Sequence, residues 1–198
     1  MQKILLPHAE PVGRVTAVRS TLLQSSLHAL REFGLYERWS AQIGAAERDL
    51  IVESIAPVWL PVEVAMAHYE ACDRLQVDEA QQTLIGAAVG ARVQSALLST
   101  AGKLARNIGV TPDIAARCFS PLWARLFQGG SLQIEQTGPK DLQLEFRQSV
   151  LPRCPYFRRT LCGNVGSATH LLGRKVAYCQ QVSYDPGKDR LLVKLSWV

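Results

Sequence analysis

The chain has 198 residues, of which 47% are hydrophobic and 20% are charged, and a formal net charge of +5. This composition is typical of globular domains and excludes disordered, collagen-like and small disulfide-stabilised proteins. The length predicts a single domain over residues 1–198. The apolar run near the N-terminus ends at Pro7 and is too short for a signal peptide or a membrane span, so a cytoplasmic protein is expected.

The first 130 residues carry a predominantly helical pattern. Apolar positions near 3.6-residue spacing predict a turn and a helix within 11–34, and further helices over 45–55, 62–75 and 78–101. The last of these contains Gly86 and Gly90, and glycines four residues apart permit close helix packing, either inside a monomer or in a homodimer. Thr111 and Pro112 then begin a helix that is predicted to run to Phe127 and to stop at Gly129 and Gly130.

From residue 131 the period changes to two. Residues 132–135 and 142–146 alternate between apolar and polar and predict a hairpin. A helix is predicted over 158–172, a strand over 175–184, a turn over 185–189 and a closing strand over 190–197. The predicted fold is therefore α+β: a helical lobe of about residues 12–130, followed over 131–198 by a small antiparallel sheet with one packed helix, in the order β-β-α-β-β.

Several of these segments resemble known proteins. Trp39, the Pro-Val-Trp-Leu-Pro string of residues 57–61 and the helix ending at Gly129-Gly130 look like a family of proteins of similar length and unknown function, found largely in myxobacteria. The Cys-Pro-Tyr-Phe string of 154–157 and the strands that close at Trp197 resemble a wider superfamily. That superfamily includes heme nitric-oxide/oxygen-binding domains, 4-vinyl-reductase-like domains and transport-protein-particle subunits. The resemblance implies an apolar cavity between lobe and sheet in some members and a protein-binding scaffold in others.

The residues do not favour heme. Heme-binding relatives carry a histidine on the helix before the sheet and a Tyr-x-Ser-x-Arg motif in the strands. Residues 113–127 contain no histidine, and residues 146–150 read Phe-Arg-Gln-Ser-Val, without the tyrosine or the correctly spaced arginine. His68 lies on another helix and is expected to be a surface or hydrogen-bonded residue. No cofactor is predicted.

An apolar ligand pocket is predicted instead, with plain core packing as the alternative. The candidate lining residues are aromatic residues near the boundary between lobe and sheet, together with one cysteine and one histidine: Trp39, Trp59, Trp123, Phe127, Tyr156, Phe157, Cys162 and His170.

Cysteine usage and charge bear on partners and metals. The cysteines number five and form no Cys-x-x-Cys pair, which indicates reduced thiols and no metal site.

Residues 100–198 carry 14 Lys and Arg against 6 Asp and Glu. This excess predicts a surface for a protein partner, with a solvated rim as the alternative. Nucleic acid is not predicted, because no RNA-stacking motif is present. The candidate partner-binding residues are Arg158, Arg159, Arg174 and Lys175.

Motifs for catalysis are missing from the sequence. There is no Gly-x-Ser-x-Gly, no phosphate-binding glycine loop and no His-Glu-x-x-His, so the protein is predicted not to be an enzyme. Two functions stay open. The first is a signalling or adaptor domain that binds a partner protein and is gated by a small apolar ligand. The alternative is a free-standing small-molecule sensor with an apolar pocket between the helical lobe and the sheet.

Overall fold

The computed structural model describes residues 13–54, 57–97, 119, 122–171 and 177–197. Its fold is α+β, with helices in the N-terminal part and antiparallel strands mainly in the C-terminal part. The described helices are α1 (Ser20–Glu32), α2 (Tyr36–Ser40), α3 (Ala45–Val52), α4 (Val62–Asp73), α5 (Glu79–Leu97) and α6 (Pro155–Leu171). The described strands are β1 (Ala17–Arg19), β2 (Trp59–Pro61), β3 (Phe127–Gln128), β4 (Ser131–Gly138), β5 (Asp141–Arg147), β6 (Ala177–Asp185) and β7 (Arg190–Trp197).

The helices that the structure describes include none that is both long enough and apolar enough to cross a bilayer.

The larger sheet has the strand order β4-β5-β7-β6, and every neighbouring pair is antiparallel. Its register places Leu144 opposite Val193 and Phe146 opposite Leu191, so that apolar side chains of adjacent strands share one face. Every second residue of β5 and β7 is buried. Because successive side chains of a strand point to opposite sides, these buried residues all lie on the same face of the sheet. The helix α6 connects β5 to β6 and packs on the sheet. The predicted β-β-α-β-β order is confirmed.

A second, smaller sheet lies within the helical lobe and was missed by the sequence analysis. Its order is β2-β1-β3, with Val18 of the central strand opposite Leu60 and Phe127. Two predictions are corrected here: the first helix begins only at Ser20, and Phe127 belongs to a strand rather than to the preceding helix. Strands of two or three residues are too short to show an alternating pattern, so nothing in the sequence separates them from helix ends.

Other predicted boundaries need smaller corrections. The late helix begins at Pro155 rather than Arg158, one residue after a short 3-10 turn over Leu151–Arg153. Proline is favoured in the first turn of a helix, where its missing N–H would have no partner in any case. Of the helix predicted over 113–127, residue 119 and residues 122–126 are described and are helical. The remainder of that prediction, and residues 98–101 of the fourth predicted helix, lie outside the described residues.

The contact between α5 and α6 is made by glycines. A Cβ added at Gly86 would overlap the backbone of Thr160, and one added at Gly163 would overlap the carbonyl oxygen of Thr83. The two helix backbones therefore touch, which only a residue without a side chain allows. The glycine spacing in α5 thus serves packing within the chain, whereas the homodimer stays a prediction.

Two hydrophobic clusters form the interior. One fills the helical lobe, with Leu27 and Trp39 among its fully buried members. The other lies between α6 and the larger sheet and includes Leu144 and Val193. Trp123 is packed against both clusters. The boundary between the two clusters is where the candidate site lies.

Candidate functional site

A cavity of about 60 Å³ lies between the helical lobe and the larger sheet. Its walls come from α1, α4, α5 and α6, from the inner face of β4 and β5, and from the helical residues before β3. The lining is mainly apolar: Leu22, Ser26, Tyr69, Gly86, Val89, Phe119, Leu122, Trp123, Leu126, Phe127, Leu132, Leu144, Phe146, Phe157, Thr160, Leu161, Asn164 and Val165.

Regular spacing within the elements brings these side chains to one place. Phe157, Leu161 and Val165 follow one another at four-residue intervals on α6 and so share one face of that helix. Leu144 and Phe146 are two residues apart on β5 and point to the same side of the sheet. One face of the helix therefore meets one face of the sheet across the cavity.

Aromatic rings make up much of the wall. Trp123 stacks on Phe127 with 4.2 Å between ring centroids, and it lies 5.6 Å from the ring of Phe146. On the lobe side, Tyr69 meets Phe157 edge to face at 4.9 Å. Rings in these arrangements attract one another beyond the effect of burial alone, so the wall is held in place by its own members.

A buried histidine, His68, lies behind the part of the cavity wall that α1 forms. Ser26 lines the cavity, and its Oγ is hydrogen-bonded to His68 Nε2 at 2.9 Å. Cys72 Sγ lies 3.8 Å from the same nitrogen. Burial lowers the pKa of His68 to about 3, so the imidazole is neutral at physiological pH. Within the described part of the chain, His68 Nδ1 has no hydrogen-bond partner, so no carboxylate orients the ring for acid–base catalysis.

Two further polar side chains reach the cavity from α4 and α6. The Thr160 hydroxyl donates to the carbonyl oxygen of Tyr156 at 2.9 Å and is thereby satisfied. Tyr69 is 4% exposed, and burial raises the pKa of its phenol, which therefore stays protonated. The cavity accordingly has an apolar lining with a few neutral hydrogen-bonding groups and no charged side chain among its described lining residues.

Comparison with known proteins gives structural neighbours only. No protein-family model matches the sequence, and no curated protein matches it. An oxygen-binding H-NOX domain related to soluble guanylate cyclases matches 90% of this chain and 94% of its own, with a TM-score of 0.52 and 10% identity. The chain has an H-NOX-like fold.

Other neighbours agree with this fold. A structure from work on heme redox potential and porphyrin distortion covers 90% of this chain and 99% of its own, with a TM-score of 0.56 and 10% identity. An unliganded Fe(II) H-NOX protein from K. algicida covers 91% of this chain and 96% of its own, with a TM-score of 0.51 and 6% identity. The resemblance to the heme nitric-oxide/oxygen-binding superfamily is confirmed at the level of fold. Membership of a myxobacterial family stays a prediction.

The described residues of this H-NOX-like fold do not fit heme. The described cavity lining contains no histidine, cysteine or methionine, and Tyr69 is held as a neutral phenol, which is a poor iron ligand. The cavity of about 60 Å³ is also less than half the size of the cavity of about 150 Å³ that accommodates benzene, and a porphyrin is several times larger than benzene. Among the described residues, no group of three or more His, Cys, Asp or Glu could hold a metal ion.

Three of the predicted pocket residues, Trp123, Phe127 and Phe157, line this cavity. Trp39 instead lies in the lobe core, with its ring 5.5 Å from that of His68. A role of Trp123, Phe127 and Phe157 in binding a ligand stays a prediction.

Trp59, Tyr156 and Cys162 are not among the described lining residues of the cavity. Trp59 is on β2, beneath the guanidinium of Arg19 at 4.6 Å. Tyr156 is buried in the lobe core. Cys162 lies on the sheet side of α6, and the side chain of His170 is outside the described residues.

The predicted partner-binding residues that the structure describes make contacts within the chain. Arg158 donates to the carbonyl oxygen of Pro152 at 2.5 Å and to Gln181 Oε1 at 3.2 Å. Arg159 forms an ion pair with Glu79 at 2.7 Å. Arg174 and Lys175 lie outside the described residues.

Sequence reasoning missed most of the cavity wall, including Ser26, Tyr69 and Asn164. The four-residue spacing on α6 could have identified Leu161 and Val165, because they lie on the same face of the helix as Phe157. No comparable signal existed for Ser26 and Tyr69, because each lies on a helix far away in sequence.

Proposed function

We propose that the protein is a heme-independent, non-enzymatic sensor domain that binds a small apolar molecule in the cavity between the helical lobe and the sheet. The observation that carries this proposal is the cavity itself, which has an apolar lining contributed by both hydrophobic clusters. Ligand sites are typically apolar concavities with a few polar groups that fix orientation. Of the two functions that the sequence leaves open, the apolar cavity favours the free-standing sensor.

The size and lining of the cavity restrict the ligand. A volume of about 60 Å³ accepts only a few non-hydrogen atoms without movement of the walls. Burial of apolar surface would provide most of the affinity, at about 25 cal/mol per Å². Ser26 and Tyr69 offer neutral hydrogen-bonding groups at the lobe side of the wall. The ligand class is therefore a small, uncharged and largely apolar molecule with at most one polar group.

Because the cavity lies between the helical lobe and the sheet, binding of a ligand there would change the contact between these two parts. Leu22 belongs to the helical lobe and Phe146 to the sheet, and both line the cavity. A bound ligand would contact both parts at once and stabilise their contact relative to the empty protein. Ligand binding would therefore raise the stability of the lobe–sheet boundary, which a partner protein or a neighbouring domain could detect.

Partner binding through the basic surface has less support. The Arg158 guanidinium is already hydrogen-bonded and also lies 4.8 Å above the ring of Tyr184, and Arg159 is paired with Glu79. A partner would have to compete with these contacts. The net positive charge of the second half of the chain is the observation that keeps this function as the second candidate.

Xenon provides a direct test, because dry apolar cavities take it up. We expect xenon to produce saturable NMR shifts in the wild-type protein, concentrated at residues around the cavity. The variant Val165→Phe adds four carbons to a lining side chain and should abolish the shifts. The matched variant Val52→Phe makes the same change on α3, at a residue that is 40% exposed, and should retain them.

The size limit is tested with benzene as a second probe, for which we expect weaker binding than for xenon. Shifts that persist in Val165→Phe, or that never saturate in the wild type, would contradict the proposed site.

A further inference from the structure

The thiols of Cys162 and Cys179 meet between α6 and β6. Both side chains are partly buried and pack against the sheet cluster, and neither forms a disulfide. The two side chains are close enough for each thiol to shift the pKa of the other. Nothing in the proposed ligand binding uses this pair.

The packing of the two elements sets this contact. One helical turn before Cys162, Arg158 Nε donates to Gln181 Oε1 at 3.2 Å across the same interface. A helical turn advances about 5.4 Å, and two strand residues advance about 6.6 Å. Moving from Arg158 to Cys162 along the helix therefore corresponds to moving from Gln181 back to Cys179 along the strand. The cysteines occupy successive matching positions of one helix–strand contact.

The two thiols have different chemical character. The hydrogen bond with Cys179 lowers the pKa of Cys162, although burial acts in the opposite direction. The same hydrogen bond, together with burial, raises the pKa of Cys179. Cys162 is therefore the one that forms a thiolate first, and thiolates are the reactive form of cysteine.

The other described cysteines provide a contrast. Burial raises the pKa of Cys154 to about 12 and also raises that of Cys72. Both are more than nine-tenths buried in the lobe core. Their thiols stay protonated and shielded, so they are not expected to react with mild oxidants.

We propose that Cys162 and Cys179 form a reversible disulfide, with a peroxide as the oxidant. The Cys162 thiolate attacks one peroxide oxygen, the O–O bond breaks, and with a proton from solvent the products are a sulfenic acid and water. The sulfur of Cys179 then attacks the sulfenic sulfur and loses its proton, and the hydroxyl group leaves as a second water. Two thiols lose two electrons and two protons, and one hydrogen peroxide becomes two waters.

The disulfide would join α6 covalently to the edge strand β6. In the sheet order, β6 has only β7 as a described neighbour, so this bond would add a second attachment for the strand. The proposal is independent of the ligand cavity and of any partner protein.

The test uses the full chain treated with a small excess of hydrogen peroxide. We expect the intact mass to fall by two hydrogens, the mass to return after treatment with dithiothreitol, and peptide mapping to show a Cys162–Cys179 cross-link. Peroxide-treated Cys179→Ser should accumulate a sulfenic acid at residue 162 that dimedone traps. In Cys162→Ser, trapping at residue 179 should be slower, because burial still raises the pKa of that thiol after the contact with Cys162 is lost.

Several results would overturn the proposal. One is a cross-link between other cysteine pairs with no 162–179 peptide. Another is oxidation of folded wild-type protein that stops at sulfenic or sulfinic acid without a disulfide. The wild-type peptide map decides the question even if a serine variant does not fold.

Discussion

The two sides of α6 are packed in opposite ways. On the α5 side, Gly86 and Gly163 allow the two backbones to touch, and no Cβ would fit at either position. On the sheet side, Phe146 and Val165 keep the helix away from β5 and leave the cavity between them. Gly86 also lines this cavity, so the close contact between α5 and α6 lies at the edge of the cavity.

From this comparison we expect the cavity to depend on the glycine contact at its edge. A cavity in a protein core normally costs stability, since its walls lose dispersion contacts. The neighbouring glycine contact packs two backbones closely. The predictions below therefore begin with that contact and continue to the cavity wall and the exposed rim.

The largest effect is expected from Gly163→Ala. The added methyl group would overlap the backbone of α5, which cannot move as a flexible side chain can. We expect the free energy of unfolding to fall by about 3 kcal/mol, the upper part of the usual range for overpacking. Urea denaturation monitored by circular dichroism measures this change in the free energy of unfolding.

The matched control is Gly166→Ala on the same helix, where an added Cβ meets nothing within 4 Å. Alanine is the better helix former, so this variant should be unchanged or more stable by up to about 1 kcal/mol. Equal losses in the two variants would show that the α5–α6 contact is not tighter than the rest of the helix surface.

A smaller effect is expected behind the cavity wall, where His68, the partner of Ser26, makes stability depend on pH. Burial lowers the pKa of His68 from 6.5 to about 3, so below pH 6.5 the unfolded chain binds a proton that the folded chain does not. Stability is therefore full above pH 6.5 and falls as the pH falls towards 3. Between pH 6.5 and 5 this residue should account for a loss of about 2 kcal/mol, at about 1.4 kcal/mol per pH unit.

The measurement is a series of urea denaturations from pH 7.5 to 5. His68→Gln should reduce the slope of stability against pH, whatever its effect on stability at pH 7.5. His28→Gln is the control, because His28 is exposed on α1, and it should keep the wild-type slope. An unchanged slope in His68→Gln would mean that His68 is accessible to protons in the folded protein.

The smallest effect is expected at the rim of the α5–α6 contact. The ion pair of Arg159 with Glu79 has side chains that are 41% and 74% exposed. Solvent screens such pairs, so a double-mutant cycle with alanine at both positions should give a coupling of about 0.5 kcal/mol or less. The coupling should shrink further in high salt. A coupling of about 2 kcal/mol would mean that charge, and not backbone packing, holds the two helices together.

The sequence predicted the larger sheet well because its pattern is local. In β5 and β7 buried and half-buried residues alternate without a break, and that alternation alone determines which side chains face the core. The small sheet of β1, β2 and β3 could not be predicted in this way. Its strands have two or three residues and exist because Val18 meets Leu60 and Phe127 from distant parts of the chain.

Prediction of the candidate site was partial for a related reason. Aromatic residues near the boundary were singled out by type, which identified Trp123 and Phe157 but also Trp39. A tryptophan that fills a core and one that lines a cavity have the same sequence signal, because both are large apolar residues in amphipathic helices. The single-domain organisation and the homodimer stay predictions.

The sequence by itself determined the β-β-α-β-β order of the C-terminal part, the faces of the main sheet and the glycine spacing that permits close helix packing. These features depend on residues within a few positions of one another. Only the tertiary structure decided that α6 contacts α5 through glycine and borders a cavity between itself and the larger sheet. It likewise decided that Ser26 meets His68 and that Cys162 meets Cys179. Such contacts join elements that are distant in sequence, and their geometry is set by how whole helices and sheets pack.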